Sequence, residues 1–165
     1  MATTVNGFIA KEDDDVSFVT KVDWESFISI AKRIGNIIVG RRTYEIMYRD
    51  KQFEELDGIK IVVLTRNQSF MVNRLNHYVA RMPKDALDLL VGQGFQEALV
   101  CGGGNLNASF LINNLIDEIY LDIEPVVFGR GIRLFAEDRF ENKLHLLEVR
   151  KLSEETVQLH YQVLK

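Results

Sequence analysis

Three consecutive glycines, Gly102-Gly103-Gly104, lie between the apolar run Ala98-Leu99-Val100-Cys101 and a run from Leu106 to Leu115 that reads as a helix. A strand that passes into a helix through glycines constrains both elements. Without Cβ atoms the backbone can approach a ligand closely, and the first amides of the following helix have no intrahelical partner. Those amides and the positive end of the helix dipole favour a phosphate. Glycines also serve tight turns, so this junction alone leaves both readings open.

Two further junctions tip the balance. Asn36-Ile37-Ile38-Val39 ends in Gly40-Arg41-Arg42-Thr43, with Thr43 the expected N-cap of a helix from Tyr44 to about Arg49. Ile61-Val62-Val63-Leu64 ends in Thr65-Arg66-Asn67. Continuously apolar strands predict a parallel sheet covered on both faces. Ligands of such sheets bind beyond the carboxyl ends of the strands. Those ends carry Arg41, Arg42 and Arg66 in a chain of net charge −4. Any one arginine reads as a solvated charge. Together, at strand ends, they point to a polyphosphate ligand.

The 165 residues predict one domain, residues 1–165, with room for a real core. The net negative charge and the lack of a basic tract argue against a nucleic-acid partner. No apolar stretch reaches spanning length and no signal peptide is visible, so no membrane partner and a cytoplasmic location are expected. The single cysteine, Cys101, reads as a small core residue.

Along the chain, Thr3 to Ala10 reads as a strand interrupted at Asn6-Gly7. Asp13-Asp14-Asp15 lacks the spacing and glycine of a calcium loop and reads as a solvated acidic loop. Val22 to Ile34 is helical, with Phe27, Ile30, Ala31 and Ile34 on one face. Residues 51–58 read as a loop and Tyr78-Val79-Ala80 as a short strand, and Pro83 opens another helix. Glu118 to Val127 reads as a strand. Leu144-His145-Leu146 and Val157 to Val163 alternate apolar and polar residues around Ser153-Glu154-Glu155, which predicts an antiparallel hairpin. The expected fold is α/β: a mainly parallel central sheet flanked by helices, with an antiparallel C-terminal hairpin.

The dinucleotide fingerprint G-x-G-x-x-G, the P-loop lysine motif, zinc-ligand spacing and serine-hydrolase signatures are all absent. No metal is expected. A phosphate-rich site without nucleophile or metal suits a bound redox cofactor, which carries its own chemistry. Asp23 has two readings: a first-turn carboxylate that stabilises its helix, or an acid that holds or protonates a nitrogen heterocycle. Trp24 reads as core. Asp122 and Glu124 alternate on one strand and share a face, either lining a pocket or meeting solvent.

Thr4-Val5-Asn6-Gly7-Phe8-Ile9-Ala10, Ile38-Val39-Gly40-Arg41-Arg42-Thr43-Tyr44-Glu45, Val63-Leu64-Thr65-Arg66, Val100-Cys101-Gly102-Gly103-Gly104 and Ile123-Glu124-Pro125-Val126-Val127-Phe128-Gly129-Arg130-Gly131 occur in that order. Together they resemble the dihydrofolate reductase superfamily. The chain most resembles the small bacterial branch shared with the reductase domain of the riboflavin-biosynthesis deaminase/reductase. The resemblance implies a dihydrofolate-reductase-like fold and hydride transfer from NADPH to a pterin or pyrimidine, in a monomer or homodimer. It implies that Gly40, Arg41, Arg42 and Thr43 hold the cofactor's phosphates. Leu64, Thr65 and Arg66 would lie near the adenosine 2′-phosphate. Cys101, Gly102, Gly103 and Gly104 would pass beneath the pyrophosphate, with Asn105 and Leu106 opening the next helix. Asp23 stands where the family carries its substrate acid, with Phe18 ahead of it. Thr4, Phe27, Lys60 and Asp122 would complete the substrate side.

Some positions depart from the family pattern. The arginine that clamps folate's glutamate is replaced, after Gly58, by Ile59 and Lys60. Asn107 replaces a tyrosine near the nicotinamide, and Asp122 replaces the threonine that partners the acid. Two carboxylates at one pocket raise one pKa. The first expectation is a dihydrofolate reductase. The alternatives are a reductase of a ribosylamino-pyrimidine or related heterocycle, and a non-catalytic nucleotide-binding domain.

Overall fold

The structure is a computed structural model that describes residues 1–165. Its first half runs β1 (Ala2–Thr4), β2 (Phe8–Ala10), α1 (Lys21–Ile34), β3 (Asn36–Gly40), α2 (Arg41–Arg49), a 3₁₀ turn (Gln52–Glu54), β4 (Lys60–Leu64) and β5 (His77–Ala80). The second half runs α3 (Pro83–Gly92), α4 (Gly104–Ile112), β6 (Glu118–Glu124), β7 (Ile132–Arg133), β8 (Lys143–Lys151) and β9 (Val157–Leu164).

Side chains alternate across a strand, so each apolar run feeds two faces. Ile37, Val39, Ile61 and Val63 pack with Ala31 of α1 and with Tyr44 and Met47 of α2. Ile38, Val62 and Ala80 pack with Ala86 and Leu90 of α3 and with Leu106 and Phe110 of α4. Helices on both faces account for the unbroken apolar runs of the parallel sheet β3-β4-β5. Residues 98–102 lie beside β3: Ile38 N donates to Leu99 O at 2.8 Å and Cys101 N to Ile38 O at 2.9 Å. That run makes only an isolated parallel bridge, Ile38 with Val100, because glycines end it at once.

A second sheet has the order β1-β6-β9-β8, with β1 parallel to β6 and the other pairs antiparallel. The predicted hairpin is β8-β9, longer than the alternation indicated and bulged between Leu146 and Glu148. Parallel pairing thus occurs in β1-β6, in β3-β4-β5 and at the Ile38–Val100 bridge. A small antiparallel pair, β2-β7, lies apart.

Two helix starts differ from expectation. Gly40, in extended conformation, is the N-cap of α2, so Thr43 falls inside the first turn and caps nothing. α4 begins at Gly104, two residues before the expected Leu106, so a glycine forms its first turn. α1 is bounded conventionally, by Thr20 as N-cap and by Gly35 at φ 80° as C-cap.

Candidate active site

Glycine N-caps leave the first amides of α2 and α4 without a side-chain acceptor, since neither Gly40 nor Gly103 makes a capping bond. The two starts adjoin, because Gly40 N donates to Gly102 O at 2.9 Å. Two nine-residue helices therefore present their N-termini side by side, an arrangement suited to a pyrophosphate. The three glycines do different things. A Cβ on Gly103 would lie 3.7 Å from Thr43 Oγ1, in ordinary contact, so the protein's own packing does not demand glycine there. The open space beside Thr43 is a cradle. Gly102 has φ 85°, a conformation that favours glycine, and faces the Met1 side chain. A Cβ on Gly104 would collide with the Arg133 carbonyl oxygen. Gly104 is thus fixed by packing on the 133–136 segment rather than by an approaching ligand.

The expected cofactor residues divide into three groups. The Leu64 and Leu106 side chains pack in the core, so only their backbone can meet a ligand. Cys101 packs against the other core cluster, and burial pushes its thiol up to about 12, so it is no thiolate. Asn105 and Arg66 are exposed, and Arg41 lies 3.6 Å from Glu45. Arg42 is already engaged: its guanidinium meets Asp14 at 2.6 Å, which brings the acidic loop onto the start of α2. Thr65 Oγ1 accepts from Asn67 N at 3.2 Å within its own exposed loop.

The second constellation is acidic. Asp122 and Glu124 share a face as expected, but that face is closed: they are 2% and 0% exposed, and Asp23 is 2% exposed. Glu124 accepts from Thr20 N at 3.0 Å, Thr20 Oγ1 at 2.8 Å and Thr156 Oγ1 at 3.1 Å. It thereby fastens the N-cap of α1 to β6 and sets where Asp23 stands. Asp122 Oδ1 accepts from Gln158 Nε2 at 2.7 Å, while Oδ2 lies 3.6 Å from the Met1 ammonium.

Asp23 Oδ2 is buried and has no partner among donors. Burial pushes the Asp23 carboxyl up to about 8, helped by the adjacent Asp122 carboxyl and the Glu124 charge, against the Met1 ammonium. Asp23 therefore carries a proton at neutral pH. Burial and two neighbouring carboxylates act against ionisation of Asp23, which sets it apart from a solvated first-turn carboxylate serving the helix dipole. Met1 links the two constellations: its ammonium lies near Asp122, and its Cε would lie 3.1 Å from a Cβ on Gly102.

The structure does not bring every expected substrate residue here. Lys60 shares its strand face with Val62, on the α3 and α4 side of the sheet, and donates to Asn76 Oδ1 at 2.6 Å. It lies across the sheet from α1, so it does not join Asp23. The Thr4 hydroxyl is committed within its own turn, to Asn6 Oδ1 at 2.9 Å and Phe8 N at 2.9 Å. Phe27 packs against the core beside Trp24 rather than standing free. Phe18 makes an edge contact with Phe128 at 5.2 Å. Ile59 packs in the core, and its aliphatic side chain offers a ligand's carboxylate no partner.

Sequence reasoning missed Thr20, Thr156 and Gln158. Thr20, three residues before Asp23, was legible as a cap. The others carry no local signal.

A pyrimidine reductase-like protein from Corynebacterium diphtheriae shares the fold, with a TM-score of 0.79 at 17% identity over 99% of this chain and 90% of that one. A diaminohydroxyphosphoribosylaminopyrimidine deaminase/5-amino-6-(5-phosphoribosylamino)uracil reductase from Thermotoga maritima superposes with a TM-score of 0.75 at 16% identity. The match covers 99% of this chain but 55% of that longer one. The Bacillus subtilis protein YwjB, itself uncharacterised, is 27% identical across 98% of this chain and 94% of its own length. The sequence model of the RibD C-terminal domain matches residues 1–158. By that match the chain belongs to the RibD C-terminal domain family, the reductase domain of the riboflavin-biosynthesis deaminase/reductase, within the dihydrofolate-reductase-like superfamily.

Proposed function

We propose that the protein is an NADPH-dependent reductase of a pyrimidine that presents a lactam edge, with Asp23 and Asp122 on the substrate. The observation that carries this reading is Asp23, buried beside Asp122 with its Oδ2 free of any donor and its pKa raised by that burial. A neutral carboxyl offers one O–H donor and one C=O acceptor. It complements the adjacent C=O and N–H of a pyrimidinedione. The amino and ring N–H groups of a pterin are both donors and call for an ionised carboxylate. The absent clamp at Ile59 and the position of Lys60 also argue against folate's glutamate tail. Structural relatives, a pyrimidine reductase-like protein and a uracil reductase, point the same way. The expectation of dihydrofolate as substrate, and with it a place in one-carbon metabolism, therefore gives way to the alternative.

NADPH supplies a hydride when bound. The chain's part is to hold and orient it: the backbone of Gly40–Thr43 and Gly102–Leu106 for the pyrophosphate, Arg41, Thr65 and Arg66 for the 2′-phosphate. Asp23 would give its proton to the substrate heteroatom that takes up the electron pair when the hydride adds to the neighbouring carbon, while Gln158 fixes Asp122 beside that carboxyl. The test is loss of NADPH absorbance in purified protein given either a ribosylamino-uracil phosphate or dihydrofolate. Oxidation with the uracil alone is expected. Oxidation with dihydrofolate alone overturns the reading.

A further inference from the structure

Arg81, the first residue after β5, reaches across to the loop that follows β4. Its Nη1 donates to Thr65 O at 3.2 Å and Asn67 O at 2.6 Å. Its Nη2 donates to Gln68 O at 3.2 Å and Phe70 O at 3.4 Å. A guanidinium has five N–H donors in a rigid plane. With both terminal nitrogens facing carbonyls of one loop, Arg81 has no fork left for a phosphate. Thr65 N ties the start of the loop to Ala80 O of β5 at 3.1 Å; beyond it the bonds are local, Asn67 N to Thr65 Oγ1 at 3.2 Å, Ser69 N to Asn67 Oδ1 at 3.0 Å and Phe70 N to Asn67 O at 3.1 Å. Inside this braced loop Arg66 is exposed. The chain's arginine ion pairs are those of Arg33, Arg41, Arg42, Arg49 and Arg133, so Arg66 is free.

We infer that Arg81 is a positioning residue for cofactor choice: by bracing residues 65–70 it presents Thr65 and Arg66 to the 2′-phosphate and so sets the preference for NADPH over NADH. The inference rests on the proposed function, which puts that phosphate at this loop. The physical ground is preorganisation. A loop ordered before binding loses less freedom when the ligand arrives. NADH has no phosphate here and is indifferent to where Arg66 points.

The experiment measures dissociation constants of NADPH and NADH by fluorescence titration, with melting temperatures alongside, for the wild type, Arg66→Ala, Arg81→Leu and Arg81→Lys. Arg81→Leu is expected to loosen NADPH about tenfold, the scale of one charged hydrogen bond, and NADH less than about twofold. Arg81→Lys should fall between, because an ammonium is a point charge that cannot span four carbonyls. It also carries the test if the leucine variant fails to fold. Equal loosening of both cofactors, or full selectivity in Arg81→Lys, overturns the inference while leaving the proposed function standing. A wild type that binds neither cofactor, or prefers neither, overturns the proposed cofactor and this inference with it.

Discussion

The parallel sheet β3-β4-β5 and the sheet β1-β6-β9-β8 bury different chemistry. Of the nine buried polar residues, Thr3, Thr4, Asp23, Asp122, Glu124, Thr156 and Gln158 belong to the second sheet or to elements packed on it; only Asn36 and Asn107 lie elsewhere. Both apolar clusters centre instead on β3 and β4. A buried polar group is costly unless it is hydrogen-bonded. Glu124 meets that condition with three donors. Asp23 does not, and stays buried by keeping its proton. One half supplies an apolar frame and two adjoining helix N-termini. The other gives up apolar packing to hold an acid at an abnormal pKa.

If that division is right, single changes in the two halves should separate rate from stability. Asp23→Asn keeps the shape but removes the donated proton. Turnover should fall by roughly 10²–10⁴-fold, the usual weight of general acid catalysis, with folding intact. A rate within a few-fold of wild type would place the chemistry elsewhere. Leu90, 2% exposed between α3 and the parallel sheet, should behave oppositely. Leu90→Ala should cost about 2–5 kcal/mol in unfolding free energy, measured by denaturant titration, and leave turnover per folded molecule unchanged.

The glycine run sharpens the contrast within one loop. Gly103 has φ −73° and space for a side chain, so Gly103→Val should fold. Its branched side chain then occupies the cradle, and NADPH affinity should drop by about tenfold or more, the weight of a lost charged hydrogen bond or two. Gly104→Ala should instead lower the melting temperature, because its Cβ meets the Arg133 carbonyl. Normal NADPH binding by Gly103→Val would reduce the run to a turn.

The sequence made the parallel half legible because its signals are local. Runs such as Ile61–Leu64 report burial on both faces, and Gly40 and Gly102–Gly104 mark the strand ends directly. The acid half was legible only in outline. The alternation of Asp122 with Glu124 gave their shared face, but not whether a sheet face at that point was covered. What closes it is Thr20, Thr156 and Gln158, which lie 104, 32 and 36 residues from their carboxylate partners. No window of sequence contains such contacts. Lys60 shows a related limit: strand parity turns it to the face of the sheet opposite α1, which its place after Gly58 does not reveal.

The two halves should also respond to pH in opposite directions, a smaller effect than those above. Asp23 has a folded pKa of about 8 against an ordinary 3.8. Between those values the folded state holds a proton that the unfolded chain releases, so stability falls as pH rises through that window and levels off above about 8. His77, beside Tyr44 in the parallel half, is lowered by burial from 6.5 to about 4. Between those values the unfolded chain holds the extra proton, so stability falls as pH drops. The two slopes oppose each other between about 4 and 6.5, and only the Asp23 slope remains from 6.5 to about 8. Urea midpoints measured against pH separate them by difference, since the other carboxylates cancel between wild type and variant. Asp23→Asn should gain on wild type steadily as pH rises to about 8, and His77→Gln should gain as pH falls below 6.5. An Asp23→Asn difference that stays flat with pH would mean an ordinary carboxylate, and the neutral acid on which substrate recognition rests would be lost with it.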